Sequence, residues 1–117
     1  MKFMNASRTT IGYYESGRFK NKSRSTLGYL EANGKVLDRS RTTIGYVENG
    51  KILDSSRSNI GYYSSTKTLS RSRRTEVYFS GKKIMNRSRS TIAYCDRNIG
   101  QYLDAVVAYL VFFFDIG

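Results

Sequence analysis

Six arginines that recur at a nearly constant spacing are the side chains best suited to chemistry in this sequence. Each follows a serine, and the Ser-Arg pairs stand at 7–8, 23–24, 40–41, 56–57, 72–73 and 88–89. A guanidinium group presents a planar fork of N–H donors that matches the oxygens of phosphate or carboxylate. The sequence therefore predicts an anion-binding rim formed by Arg8, Arg24, Arg41, Arg57, Arg73 and Arg89.

A second basic set follows the predicted hairpin turns and consists of Arg18, Lys35, Lys51, Lys67 and Lys82. The chain has 20 Lys and Arg against 9 Asp and Glu, a net charge of +11. Such a field attracts polyanions, whether anionic lipid, nucleic acid or an acidic protein. Two other interpretations stay open: each Arg braces its corner by pairing with a neighbouring Asp or Asn, or the charge serves solubility.

Residues for catalysis are scarce. There is no His and one Cys, which excludes the usual zinc, iron, Cys–His and Ser–His constellations. The carboxylates recur at turns, as Glu15, Glu48 and Asp54 do, and no two of them stand out as a glycosidase pair. We expect no enzyme, no cofactor and no metal site. Cys95 lies in a strand-like run, where a small buried residue is expected rather than a reactive thiol.

The arginines are carried by a short repeat that reads as a β-hairpin. A Tyr follows each of them by five residues, at 13, 29, 46, 62, 78 and 94. In the clearest copy, residues 43–48 and 51–54 are rich in β-branched and apolar residues and flank Asn49-Gly50, the pair that favours a type I′ turn. Internal repeats of this kind indicate an array of identical supersecondary units.

The two ends of the chain indicate that the array closes. Residues 2–7 align with a second strand, 51–56, whereas the sixth unit supplies only a first strand near 91–96. Pairing these two segments gives twelve strands and removes both open edges. We predict a single domain over 1–117: a closing strand (1–6), repeats at 7–22, 23–39, 40–55, 56–71, 72–87 and 88–100, and a central apolar helix (101–117).

The C-terminal segment is predicted to be the plug of this ring. Residues 102–114 are apolar except for Asp104, and a helix that is apolar all round should be buried all round. The alternative is a short membrane-inserting tail, but the segment is shorter than the ~20 residues that a spanning helix needs.

The faces of the first strand can be assigned from the repeat. Alternation places Ile44 and Tyr46 on one face, and Gly45 and Val47 on the other. The residue after Tyr varies in size between units, as expected of positions that meet different parts of one helix. We therefore predict that the variable residue faces inward and Tyr outward; the alternative is a Tyr core whose hydroxyls reach the rim.

The repeated Ser-Arg-Thr-Thr-Ile-Gly-Tyr, the Asn-Gly turns and the Phe-rich tail (Ala105 to Phe114) resemble the bacterial β-flower proteins over nearly the whole chain. The predicted architecture is similar to the tubby C-terminal domain, a twelve-stranded barrel with a central hydrophobic helix. The tubby resemblance implies phosphoinositide binding or membrane tethering as an analogy of shape.

The expected fold is thus all-β with one helix: a closed antiparallel ring of six β-hairpin repeats around a hydrophobic C-terminal helix. The expected function is a non-enzymatic binding module for an anionic membrane surface or lipid headgroup. A protein-interaction scaffold and nucleic-acid binding through the basic rims are the alternatives. The N-terminus lacks an apolar stretch long enough for a signal peptide, so we expect a cytoplasmic protein, either free or peripheral to the membrane.

Overall fold

Twelve short β-strands follow one another in the computed structural model, which describes residues 1–113. The end of the predicted helix, 114–117, lies outside the described residues. The strands are β1 (Lys2–Asn5), β2 (Thr10–Glu15), β3 (Arg18–Asn21), β4 (Thr26–Leu30), β5 (Lys35–Asp38), β6 (Thr43–Glu48), β7 (Lys51–Asp54), β8 (Asn59–Tyr63), β9 (Lys67–Ser70), β10 (Thr75–Ser80), β11 (Lys83–Asn86) and β12 (Thr91–Cys95).

The strands form one closed antiparallel barrel in which each strand pairs with its neighbours in sequence. The seam joins β1 to β12, with Phe3 opposite Cys95 and Met4 opposite Tyr94. The predicted closed ring of twelve strands is therefore confirmed. Because the strands alternate up and down, the tight turns within hairpins all lie at one end of the barrel, the hairpin end. The links between hairpins, residues 6–9, 22–25, 39–42, 55–58, 71–74 and 87–90, lie at the other, the corner end.

The predicted plug is present and occupies the barrel axis. It begins as a 3-10 turn at Ile99–Tyr102, continues as an α-helix at Leu103–Ala108 and ends as a π-helical turn at Tyr109–Phe113. Its start lies two residues before the predicted one, because the Asn98 side chain accepts a 2.9 Å hydrogen bond from the Gly100 N–H and caps the turn. The segment from Ala105 to Tyr109 is buried. None of the helices within residues 1–113 is long and apolar enough to cross a membrane.

The variable residues face the plug, as predicted. Val47 and Cys95, which follow Tyr46 and Tyr94, are 0% and 1% exposed, whereas the repeat tyrosines lie on the outer wall. Gly45 allows the plug to come close, since a Cβ there would collide with the Phe112 ring and lie 2.7 Å from the Leu53 carbonyl oxygen.

The prediction that Ile44 shares the outer face with Tyr46 is wrong. The register shifts between Val36 and Leu37 where β5 pairs with β6, so that Ile44 forms a β-bulge. The same shift occurs once in every unit. An extra residue in one strand breaks the two-residue alternation, and Ile44 therefore packs against the core. The bulge positions are 11, 27, 44, 60, 76 and 92.

Candidate anion-binding surface

At each corner, the last residue of the preceding strand and the four residues of the link form one loop. The side chain of that last strand residue fixes the conformation of the loop. The Asp38 carboxylate accepts 2.9 Å hydrogen bonds from the backbone N–H groups of Ser40 and Thr42. The Asp38 carbonyl accepts another from the Arg41 N–H at 2.9 Å. Asn5, Asn21, Asp54 and Asn86 make the same contacts, and Ser70 makes a related one through Oγ. These Asp and Asn side chains therefore bind backbone amides and do not pair with the arginines, contrary to the bracing interpretation.

The backbone of the six corner arginines is unusual. All six have φ between 65° and 67°. This left-handed conformation costs most residues ~1–2 kcal/mol, and Gly and Asn adopt it more easily. Gly or Asn would fit these positions with less strain. The recurrence of Arg there indicates that its side chain contributes something that Gly and Asn cannot.

That contribution is stacking on the tyrosines of the outer wall. Each guanidinium carbon lies 4.1–4.2 Å from the centroid of a Tyr ring, well inside the ~6 Å range of a cation–π contact. The pairs are Arg8–Tyr94, Arg24–Tyr13, Arg41–Tyr29, Arg57–Tyr46, Arg73–Tyr62 and Arg89–Tyr78. Every pair joins adjacent units, and Arg8–Tyr94 crosses the seam between β1 and β12.

Among the residues that the structure describes, two of these arginines also form ion pairs. Arg24 and Arg57 lie 3.1 Å from Glu15 and Glu48, and Lys20 lies 3.2 Å from Glu15. The hydrogen bond from Lys20, followed by the charge of Arg24, lowers the pKa of the Glu15 carboxyl. The side chains of Arg24 and Arg57 remain 55% and 57% exposed. The stacked arginines thus keep N–H donors available to an external anion.

Positive charge is concentrated at the corner end. Besides the six stacked arginines, the corners contain Lys22, Arg39, Arg71, Arg74 and Arg87, and all eleven residues are exposed. Within residues 1–113, the acidic residues at this end are Asp38, Asp54 and Glu76. The nine remaining basic residues share the walls and the hairpin end with Glu15, Glu31, Glu48, Asp96 and Asp104. Spacing alone identified only the six stacked arginines.

An apolar mouth lies inside this basic rim. It consists of the bulge residues Ile11, Leu27, Ile44, Ile60 and Ile92 together with the end of the plug, residues 110–113. Ile60 and Val111 are 38% and 39% exposed, which is high for large apolar side chains. The corner end therefore presents exposed apolar groups surrounded by positive charge.

The second basic set lies at the hairpin end, and the strand register adds two residues to it. Lys82 lies in the turn after β10, and Lys83 takes the position equivalent to Lys51, each of the two pairing in register with a Tyr of the next strand. Lys2 takes the same position in the closing strand, opposite Tyr13. The hairpin end therefore has Lys2 and Lys83 besides Arg18, Lys35, Lys51, Lys67 and Lys82. Sequence reasoning missed Lys2 although it had aligned the first strand correctly, and missed Lys83 because the fifth hairpin has a different turn.

Two side chains in contact with the core, Cys95 and Tyr63, have raised pKa values. Burial raises the pKa of the Cys95 thiol to about 12, so that it is a thiol and not a thiolate near neutral pH. Burial and a 2.9 Å hydrogen bond to Asp104 raise the pKa of Tyr63 to about 12. In the described part of the chain, no three His, Cys, Asp or Glu residues are grouped as a metal site.

Comparison with known proteins places the chain in a family. No curated protein and no solved structure shows significant similarity to it. A family model described as "5-fold beta-flower protein" matches residues 2–114, which is nearly the entire chain. Five hairpins in the barrel are contiguous in sequence, and the sixth pair is assembled from β1 and β12. The chain belongs to the 5-fold β-flower protein family.

Proposed function

We propose that the protein binds anionic membrane surfaces through its corner end. The observation that supports this proposal is the combination of an apolar mouth with the eleven basic residues around it. Each Lys or Arg near an anionic bilayer adds ~1 kcal/mol of attraction. Exposed apolar side chains such as Ile60 and Val111 gain by entering the interfacial region. Both features belong to one end of the barrel, so one bilayer can contact the apolar mouth and the basic residues around it.

Binding of nucleic acid is less well supported by this geometry. Single-stranded nucleic acid is typically held by bases that stack on exposed aromatic rings. Here the outer face of each repeat tyrosine is covered by a guanidinium group at 4.1–4.2 Å. The apolar mouth also has no role in binding a phosphate backbone.

Sedimentation with vesicles tests the proposal. The protein should bind vesicles of phosphatidylglycerol and phosphatidylcholine, and bind pure phosphatidylcholine vesicles at least about tenfold more weakly. Because the attraction is electrostatic, added salt should weaken it. Equal binding to both vesicle types, or binding to neither, would contradict the proposal.

A pair of matched variants locates the surface. Arg71→Glu with Arg87→Glu reverses two corner residues that make no stacking contact with Tyr, and should reduce binding to anionic vesicles at least about tenfold. Lys51→Glu with Lys82→Glu changes the net charge equally at the hairpin end and should reduce it much less. Equal losses in the two variants would show that only net charge matters.

A further inference from the structure

A cavity of about 280 Å³ opens at the corner end beside the plug. It lies between the plug and strands β8 to β10, and its apolar lining comes from Ile52, Ile60, Leu69, Val77, Leu110 and Val111. Cavities for small ligands typically span ~300–1,000 Å³, so this one is slightly smaller than that range. Its size and lining suit a narrow apolar group.

The cavity exists because the plug fills the barrel unevenly. On one side, its large aromatic rings reach the wall, where Tyr109 packs beside Gly12, and Phe112 beside Gly45. On the side of β8 to β10 the plug presents Leu110 and Val111, which are smaller. The space next to Gly61 and Val77 is therefore not filled by residues 99–113 of the plug.

The polar edge of the cavity is the most basic corner of the ring. Ser70 lines the cavity and begins the corner that contains Arg71, Arg73 and Arg74, all of them exposed. Arg73 stacks on Tyr62, whereas Arg71 and Arg74 form no ion pair with any residue in 1–113. Arg71 and Arg74 are thus exposed residues of the corner that begins at the cavity edge with Ser70.

One acidic residue also lies at this edge. Glu76 occupies the bulge position that is Ile or Leu in every other unit, and it lines the cavity. A carboxylate accepts hydrogen bonds but cannot donate them when ionised. A ligand that fits this edge therefore needs an anionic group for the arginines and a donor for Glu76.

We propose that this cavity binds one acyl chain of an anionic phospholipid. The phosphate lies at Arg71 and Arg74, and a hydroxyl or ammonium group of the head donates to Glu76. This inference rests on the proposed membrane binding and deepens it, because it assigns one lipid molecule to one of the six units. Phosphate oxygens and guanidinium forks make strong, charge-assisted hydrogen bonds, and the apolar chain is removed from water.

Titration of the full chain with a short-chain, water-soluble phosphatidylserine tests the site. Backbone amide NMR should show saturable binding, with shifts concentrated at Ile60, Val77 and Val111. Inorganic phosphate should leave the amides of Leu110 and Val111 unshifted, because it has no chain to enter the cavity. A shorter-chain lipid should bind more weakly. Shifts elsewhere, or affinity independent of chain length, would overturn the proposal.

Neutralising variants separate the site from general charge. Arg71→Ser with Arg74→Ser should weaken binding of the soluble lipid about tenfold, and Ser stands naturally at both equivalent positions, as Ser55 and Ser58. Lys22→Ser with Arg39→Ser removes the same charge from distant corners and should change this affinity less than about twofold. Equal weakening by both pairs would contradict the site. Failure of the wild type to bind vesicles while the soluble lipid still binds would instead contradict the proposed function.

Two further variants test the chain and head separately. Val77→Phe fills the cavity and should abolish binding of the soluble lipid while vesicle binding persists; if it does not fold, Ile60→Phe at the more exposed edge should weaken binding for the same reason. Glu76→Gln should reduce the preference for phosphatidylserine over phosphatidic acid, which has no ammonium group. An unchanged affinity for the soluble lipid in folded Val77→Phe or Ile60→Phe would contradict binding of the acyl chain in the cavity. An unchanged lipid preference in Glu76→Gln would contradict the contact between Glu76 and the headgroup.

Discussion

At the scale of single residues, the corner arginines stack on tyrosines of the outer wall, a contact that the sequence alone did not predict. Their spacing indicates a rim, but the stacking partner belongs to the preceding unit: Arg24 lies over Tyr13, and Arg57 over Tyr46. A recurring Tyr eleven or twelve residues before each Arg except Arg8 is the signal that would have identified the pair. The pairing itself depends on how adjacent units are placed in the barrel, which the spacing does not specify.

The stacking contact should be measurable as a coupling energy. Arg41→Asn keeps a residue that tolerates the left-handed backbone and removes the cation, and Tyr29→Leu removes the ring. A double-mutant cycle of urea unfolding should give a coupling of about 0.5–1 kcal/mol for this exposed pair. Additive losses, with no coupling, would show that the 4.2 Å contact contributes nothing to stability.

The buried thiol predicts a loss of stability at alkaline pH. Burial raises the pKa of Cys95 from its usual value of 9.0 to about 12, so between these values the folded protein retains a proton that the unfolded chain loses. The free energy of unfolding should therefore fall as the pH rises from about 9 to 12. Cys95→Ala should show a smaller fall over that range, although it is less stable at neutral pH. Parallel pH profiles for the two proteins would contradict this assignment.

At the scale of elements, the sequence predicted the arrangement of the strands better than the details of their packing. The twelve strands, their closure and the inward position of Val47 and Cys95 followed from alternation and from the alignment of the first strand. The bulge at Ile44 did not. A β-branched residue between Thr and Gly satisfies the two-residue alternation equally well with or without a bulge, and the register shift depends on the neighbouring strand.

The candidate site was predictable only in part, for a related reason. The six Ser-Arg pairs repeat and are visible by their period, whereas Arg71, Arg74 and Glu76 are departures from the repeat. Their positions around one cavity depend on the uneven fit of the plug, where Leu110 and Val111 face β8 to β10. No periodic pattern indicates which side of a barrel its central helix fills.

The plug should tolerate a charged side chain at its exposed corner end but not in its buried middle. Val107 is fully buried and Val111 is 39% exposed at the corner end. Val107→Asp places a carboxylate without a partner in the core and should destabilise the fold by more than about 3 kcal/mol. Val111→Asp should cost less than about 1 kcal/mol. Thermal unfolding of both variants checks this, and similar losses would contradict the described burial of the plug.

At the scale of the whole molecule, closure gives the barrel one continuous wall and two different ends. The seam depends on a strand of four residues, whose Phe3 is 1% exposed and stacks on Tyr109 with ring centroids 3.8 Å apart. The same closure brings all eleven basic corner residues to one end. The asymmetry between the ends is thus a consequence of the up-and-down order of the strands.

The seam predicts a large effect from a residue near the N-terminus. Phe3→Ala removes a buried ring that contacts both the plug and β12, and should destabilise the protein by about 3–5 kcal/mol. Met4→Ala, at the half-buried outward position of the same strand, should cost considerably less. Urea unfolding of the two variants compares them, and a small loss for Phe3→Ala would mean that the barrel does not depend on this seam.

The orientation of the protein on an anionic bilayer tests the central claim most directly. Because Cys95 is buried, a single polarity-sensitive fluorophore can be attached at Ser55→Cys in a corner or at Ser65→Cys in a hairpin turn, both exposed positions. On anionic vesicles, the Ser55 probe should shift to the blue and be quenched by labelled lipid, and the Ser65 probe should change little. A stronger response at Ser65, or equal responses at both positions, would contradict membrane binding through the corner end.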